Sequence, residues 1–268
     1  MIKKIFAIIK KDFLIETSYK FSFALNIFGV LTTILVYFFI DRMFGYKMTR
    51  YLEEFGVNYF SYVIVSMALF SYIGVGIGSF SSRLRREQLQ GTLESLLLTP
   101  TKIPIILCGM SLWNLIFATI NVCIYILLGK FLFNISFSHI NILSAGITLI
   151  LTIISFSALG IISAGFIMIF KQGNPVGWVI NTFEGLLGGV YFPVTVMPPL
   201  LQLLAKCFPI TYAIRAMELS IYKGYTLIQL NSELFFLLIF SAIFLPLSIF
   251  IFKFSLKKAR QHGTLSQY

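Results

Sequence analysis

Long apolar runs, each broken by a short polar or charged stretch, dominate the chain. A helix needs about 20 apolar residues to cross the ~30 Å hydrocarbon layer of a bilayer. Stretches 21–40, 57–80, 103–128 and 234–252 each predict one such helix. Stretch 174–192 predicts another, interrupted only by Glu184. The apolar run 131–170 is long enough for two tightly turned spans or for one. Its polar start, with Asn134, Ser136, Ser138, His139 and Asn141, reads as a rim, which leaves one span at about 140–170. The pattern therefore predicts an all-α integral membrane protein, with residues 1–268 forming a single transmembrane domain of six helices.

Composition agrees. Of the 268 residues, 58% are hydrophobic and only 12% charged, and Phe alone occurs 29 times. Mean hydropathy is +0.90. A soluble domain of this size carries about twice that share of charge, so a soluble enzyme and a disordered chain are both excluded. The net charge of +11 does not point to nucleic acid, because the basic residues are spread over short loops, where they act as a topology signal. With the N-terminus inside, 14 of the 21 Lys and Arg fall on the cytoplasmic side and 7 on the outer side. That bias favours both termini in the cytoplasm. A seventh span would place the basic tail, Lys253 to Arg260, outside.

The first 20 residues are not a cleavable leader, since Lys10, Lys11, Asp12, Glu16 and Lys20 interrupt their apolar positions. Ile2, Ile5, Ile9 and Phe13 lie near helical spacing and predict an amphipathic helix on the cytoplasmic surface; a basic flank of the first span is the simpler alternative. Cys108, Cys123 and Cys207 share no short spacing, so no disulfide or metal framework is expected.

Two loops carry information. In 81–102, Leu89, Leu93, Leu96 and Leu97 fall on one face of a helix, with Arg83, Arg85, Arg86, Glu87 and Glu94 around it. Thr99-Pro100 ends it, because the residue before proline avoids helical backbone angles. This predicts a short amphipathic helix between spans two and three, either resting on lipid headgroups or docking a partner. Gly91 in its middle hints at close approach by another backbone. The stretch 193–232 is long but not polar. Pro198-Pro199 and Pro209 start two helical pieces too short to cross, which predicts re-entrant or interfacial helices before the last span, the alternative being an amphipathic surface loop.

Glu87-Gln88-Leu89-Gln90-Gly91-Thr92-Leu93-Glu94-Ser95-Leu96-Leu97-Leu98-Thr99-Pro100 resembles the E-x-x-x-G-T-L-E-x-L-x-x-T-P signature of type-2 ABC export permeases. Gly189-Val190-Tyr191-Phe192-Pro193, then Pro198, Pro209 and Tyr212 through Arg215, are similar to that family's G-x-x-F-P…P…P-x-x-Y pattern. The resemblance covers nearly the whole chain and is weakest over 1–60. It implies a cytoplasmic coupling helix that docks on a separate ABC ATPase, through Arg85, Arg86, Glu87, Gly91, Thr92, Leu93, Glu94, Thr99 and Pro100. It also implies re-entrant outer helices and a second permease copy, as a homodimer or a heterodimer.

Within the spans, Glu184 is the one acidic residue well inside, and a charge there costs about 2.5–3.5 kcal/mol on insertion scales. It lines a pathway or a subunit interface, or serves as a protonated structural group. Gly185 and Gly189, with Phe192 and Pro193 beyond them, extend that candidate region. Gly74 with Gly78, and Gly160 with Ala164, form small-residue faces that let helices approach.

No phosphate loop of the G-x-x-x-x-G-K-[ST] type occurs, so the chain itself is expected to bind no ATP, to need no cofactor or metal, and to be no enzyme. The expected function is the membrane half of an ATP-driven exporter in a cell membrane, in contact with lipid; short basic inner loops suit a bacterial plasma membrane. An ion-gradient-driven transporter or channel is the alternative, disfavoured by one intramembrane carboxyl and no detected repeat. An integral-membrane enzyme would need a polar catalytic cluster, and none is visible.

Overall fold

The computed structural model describes residues 20–99, 103–133, 135, 137, 139–170 and 175–261, together with 10 and 13–14. These residues are helical with short connections: α1 (Lys20–Thr49), α2 (Tyr59–Leu89), α3 (Leu93–Leu98), α4 (Ile103–Phe133), α5 (Ile142–Phe170), α6 (Pro175–Leu187), α7 (Pro199–Ala205), α8 (Pro209–Tyr222) and α9 (Asn231–Gln261). Five stretches among them are long and apolar enough to cross a membrane: Ala24–Leu52, Tyr59–Leu89, Ser111–Phe131, Ile142–Phe170 and Asn231–Ala259.

The apolar content is distributed inside out. The most apolar windows of α2 and α5 are 67% and 56% buried, those of α1 and α9 only 11% and 17%. Phe21, Phe28, Phe39 and Met43 on α1, and Phe235, Ile243, Phe250 and Phe254 on α9, face outward. Water would not tolerate that shell, whereas hydrocarbon does. The α2–α5 crossing is tight because Gly76 meets Gly160: a Cβ on Gly160 would overlap the Gly76 carbonyl oxygen, and one on Gly76 would lie 3.0 Å from Phe156 Cβ.

Polar side chains tie the spans together where lipid offers no partners. Asn26 Nδ2 of α1 donates to Asn121 Oδ1 of α4 at 2.6 Å, and Tyr72 OH of α2 donates to Thr119 Oγ1 of α4 at 2.7 Å. Asn58 caps α2 by accepting from the Ser61 amide, and Asp41 Oδ1 of α1 accepts from the Phe60 amide at 3.2 Å. Both acceptors face the positive end of the α2 dipole.

Several expectations change. α1 continues past residue 40 to Thr49, and α2 past residue 80 to Leu89. The expected span 174–192 is described as a helix of 13 residues, Pro175–Leu187, which rises only about 20 Å. Beyond it the chain turns through Gly188 and Gly189, whose φ of +87° no helix accommodates. The expected N-terminal amphipathic helix lies mostly outside the described residues; Phe13 sets its ring edge-on to Trp113 of α4. Of the small-residue faces, Gly160 does pack closely, but its partner is Gly76. Gly74 and Gly78 have nothing within 4 Å of a Cβ position. Gly185 meets the Phe70 ring, and Gly188, not Gly189, is the close-packed position beside Ile210.

Candidate functional site

The predicted loop helix of 83–100 is divided in the structure. Its first half, with Arg85, Arg86 and Glu87, is the last two turns of α2; the helix then stops, and α3 begins at Leu93. The stop is built by hydrogen bonds. The Gly91 amide donates to the Gln88 carbonyl at 3.1 Å, and the Thr92 amide reaches back to the Glu87 carbonyl at 3.0 Å. This paired 5→2 and 6→1 closure needs a left-handed residue after the helix end, and Gly91 supplies it at φ +69°. A Cβ there would meet nothing within 4 Å. The glycine therefore serves backbone conformation, and the expectation that another backbone approaches it is corrected.

Thr92 then fastens the reversal. Its Oγ1 donates to Glu87 Oε2 at 2.5 Å, while Arg83 Nε donates to Glu87 Oε1 at 3.2 Å. Glu87 is only 6% exposed, so it acts inside the joint rather than on a docking surface. Leu93, 1% exposed, plugs into a cluster of Phe80, Leu84, Ile161, Ala164, Met168, Phe252, Leu256 and Ala259. The cluster joins this leucine with residues of α2, α5 and α9. What remains accessible is a rim: Arg86, Leu89, Gln90, Thr92, Ser95, Leu98 and Thr99, with Leu98 77% exposed. Arg85 is half-buried. Glu94 lies in the first turn of α3, and Pro100 lies outside the described residues.

The second candidate region sits at the opposite end of the bundle, where α2 begins. Tyr62 OH donates to the Gly189 carbonyl at 2.5 Å and Tyr59 OH to the Tyr191 carbonyl at 2.9 Å. Two tyrosines on α2 thereby hold the turn that follows α6. Pro193 is buried, Phe192 half-buried, and a 3-10 turn follows at Val194–Val196. Pro199 and Pro209 stand at the first positions of α7 and α8, where a missing amide hydrogen costs nothing. Between the turn and these helices lies a cavity of about 340 Å³, bordered by Tyr62, Pro193, Gln202, Lys206 and Tyr212. Arg215 closes one side. Its guanidinium reaches Glu54 Oε1 at 2.7 Å and Glu233 Oε1 at 3.3 Å, joining the α1–α2 connection, α8 and the start of α9.

Glu184 is 1% exposed, and its Oε2 has no hydrogen-bond partner. It is buried within one chain and does not border this cavity. Gly185 packs on Phe70, one turn from the cavity wall. Pro193 thus lines the cavity, Gly189 and Phe192 lie in the turn beside it, and Glu184 and Gly185 do not border it.

Sequence reading missed a second buried carboxyl. Glu218 on α8 is fully buried; Ser66 Oγ donates to its Oε1 at 2.9 Å, and its Oε2 has no partner. Burial pushes this carboxyl well above the usual range, and the Ser66 hydrogen bond only partly opposes that. A signal was present: Glu218 falls four residues after Ile214 and eight after Ile210, on the buried stripe of α8.

Among the described residues no group of His, Cys, Asp or Glu could hold a metal ion. The chemistry on offer is mechanical: a rigid joint at one end of α2 and an ion-paired cavity at the other. No curated protein matches the chain. The family described as ABC-2 type transporter matches residues 3–222, from before α1 to the end of α8. That match and the five apolar helices make this chain a multi-pass membrane permease that belongs to the ABC-2 type transporter family.

Proposed function

We propose that the chain is the transmembrane half of an ATP-driven exporter, working as a dimer with a separate ABC ATPase docked on segment 83–100. The ATP is bound by that partner. In this reading the chain lies in a cell membrane with both termini and the α2–α3 joint in the cytoplasm, and the turn after α6 faces outward.

The observation that carries the proposal is Leu93. A docking segment transmits force only if it cannot rock independently of the bundle. Leu93 in its buried cluster with residues of α2, α5 and α9, and the Thr92–Glu87–Arg83 chain behind it, hold α3 to the end of the bundle. The exposed rim of Arg86, Leu89, Ser95 and Leu98 remains free to engage a partner surface. Displacement of that rim moves α2 as a rod of 31 residues, whose far end holds Tyr59, Tyr62 and the turn at Gly189. Packed elements with discrete arrangements carry such motion better than continuous bending does.

The test is a purified complex of the permease with its ATPase in proteoliposomes. Cysteines replacing Ser95 or Leu98 are expected to crosslink to the ATPase. Leu93→Ala is expected to leave assembly intact and to disconnect hydrolysis from transport. Export that persists after the ATPase is removed, or a rim that never crosslinks, refutes the reading.

A further inference from the structure

A groove of about 420 Å³ runs between α2 and α4, within both apolar helices. Ser71, Gly74, Gly78 and Ser82 recur along one face of α2 at helical spacing, and Asn114 and Phe117 of α4 form the opposite wall. The small residues alone would be an ordinary packing face. Two further facts set this one apart.

The first is that no described residue fills it. A Cβ at Gly74 or Gly78 would meet no atom within 4 Å, whereas the Gly76 face one step around the helix is in close contact with α5. The second is unsatisfied polarity. Asn114 makes no hydrogen bond among the described residues. Ser79, also on the groove, is 3% exposed and its Oγ has no partner. Ser71 and Ser82 donate to carbonyls of their own helix, at 2.7 and 3.3 Å, and keep lone pairs free. At membrane depth, an amide and a hydroxyl without partners are costly. The groove therefore lacks a hydrogen-bonding occupant.

We infer that this groove binds an uncharged amphipath, with a hydroxyl-bearing head against Asn114, Ser79 and Ser82 and its apolar body along Val75 and Phe117. Neutrality follows from the lining, which contains no Lys, Arg, Asp or Glu; Arg83, directly after Ser82, is outside that lining and pairs with Glu87. The polar groups offer both donors, on the Asn114 amide, and acceptors, on the serine oxygens, which suits a hydroxyl. The site does not depend on coupling to an ATPase, and its test is read without ATP, so its failure and that of the exporter reading are distinct results.

The experiment uses the full chain in nanodiscs with two photoreactive probes carrying the same diazirine acyl chain, one a diacylglycerol and one a phosphatidylglycerol. Crosslinked peptides are mapped by mass spectrometry. The diacylglycerol is expected to label 71–82 and 114–117, and excess unlabelled diacylglycerol to compete. Gly78→Leu fills open space and is expected to cut labelling about tenfold, with Gly78→Ala leaving it nearly unchanged. Asn114→Leu, which removes the head contact and not the volume, provides an independent reduction. The proposal is overturned if the phosphatidylglycerol labels the groove equally, if label spreads evenly over α1 and α9, or if Gly78→Leu and Asn114→Leu leave labelling intact. It is likewise overturned if cysteines at 78 crosslink two copies of the chain, which would make the groove a subunit interface.

Discussion

Thr92 Oγ1 donates to Glu87 Oε2 at 2.5 Å across the point where α2 ends, so a side chain before the break holds one after it. Glu87 also accepts from Arg83, one turn earlier. Removing the shared acceptor takes a hydrogen bond from both donors. Glu87→Ala is expected to cost about 1.5–3 kcal/mol, the usual range for hydrogen bonds to a charged group. Thr92→Ser keeps the bond and Thr92→Val loses it. Hydrogen exchange at the 91–98 amides reads the joint directly: faster exchange is expected in Glu87→Ala and Thr92→Val, and unchanged exchange in Thr92→Ser. Equal protection in all three variants would show that the bond does not hold the joint.

Gly91 makes a different prediction, because its constraint is torsional and not steric. With φ at +69° and open space around it, any residue with a Cβ pays about 1–2 kcal/mol for the left-handed conformation. The cost is expected to be nearly the same for Gly91→Ala and Gly91→Trp, and smaller for Gly91→Asn, which tolerates that region. Thermal unfolding of the three variants in detergent checks the order. A loss that grows steadily with side-chain volume contradicts it.

Gly160 is the opposite case. Its missing Cβ makes room for the Gly76 carbonyl, and backbone cannot rotate aside as a side chain does. Gly160→Ala is expected to lower stability by about 1–3 kcal/mol through overpacking. Gly74→Ala, in open space on the groove face of α2, is expected to gain up to about 1 kcal/mol of helix propensity. Similar melting temperatures for the two variants would contradict the close α2–α5 crossing.

Glu218 predicts a pH dependence. Its carboxyl titrates well above its unfolded value because it is buried. Between the two pKa values the folded chain holds a proton that the unfolded chain has released. Stability therefore falls as pH rises through the unfolded value of about 4.3. Glu218→Gln removes this dependence while keeping the shape and an acceptor for Ser66. The melting-temperature advantage of the variant over the parent is expected to widen from pH 4 to pH 7. Parallel curves would mean that Glu218 titrates normally.

Arg215 touches two carboxylates through different nitrogens, which a lysine ammonium cannot copy. Arg215→Lys is expected to lose the Glu54 or the Glu233 contact and to loosen the cavity end of the bundle. The Glu54 side is half exposed, so most of the effect comes from Glu233, which is 4% exposed. Disulfide trapping between cysteines on α8 and α9 checks this, with faster or more promiscuous trapping expected in the variant. Identical trapping rates would assign the ion pairs no structural role.

The apolar runs alone announced a membrane bundle, because a stretch of about 20 residues without charge has few other stable fates. The prolines of 193–212 announced where short helices would start, because amide-less proline acts within a few residues of itself; the break at Gly91 is equally local, but the helical spacing of leucines across 83–100 concealed it. Those are local effects, and local effects are written in order along the chain. Which glycine meets which helix was not written there: Gly74, Gly76 and Gly78 look alike in sequence, and only the rotation of α2 against α5 selects Gly76 for contact and leaves the other two facing a groove. The burial of Leu93 among residues of α2, α5 and α9, and that of Glu218 beside Ser66, likewise come from contacts between residues distant in the chain. Tertiary packing decided them because burial is set by what arrives from elsewhere, and a linear pattern records only the face that each residue offers.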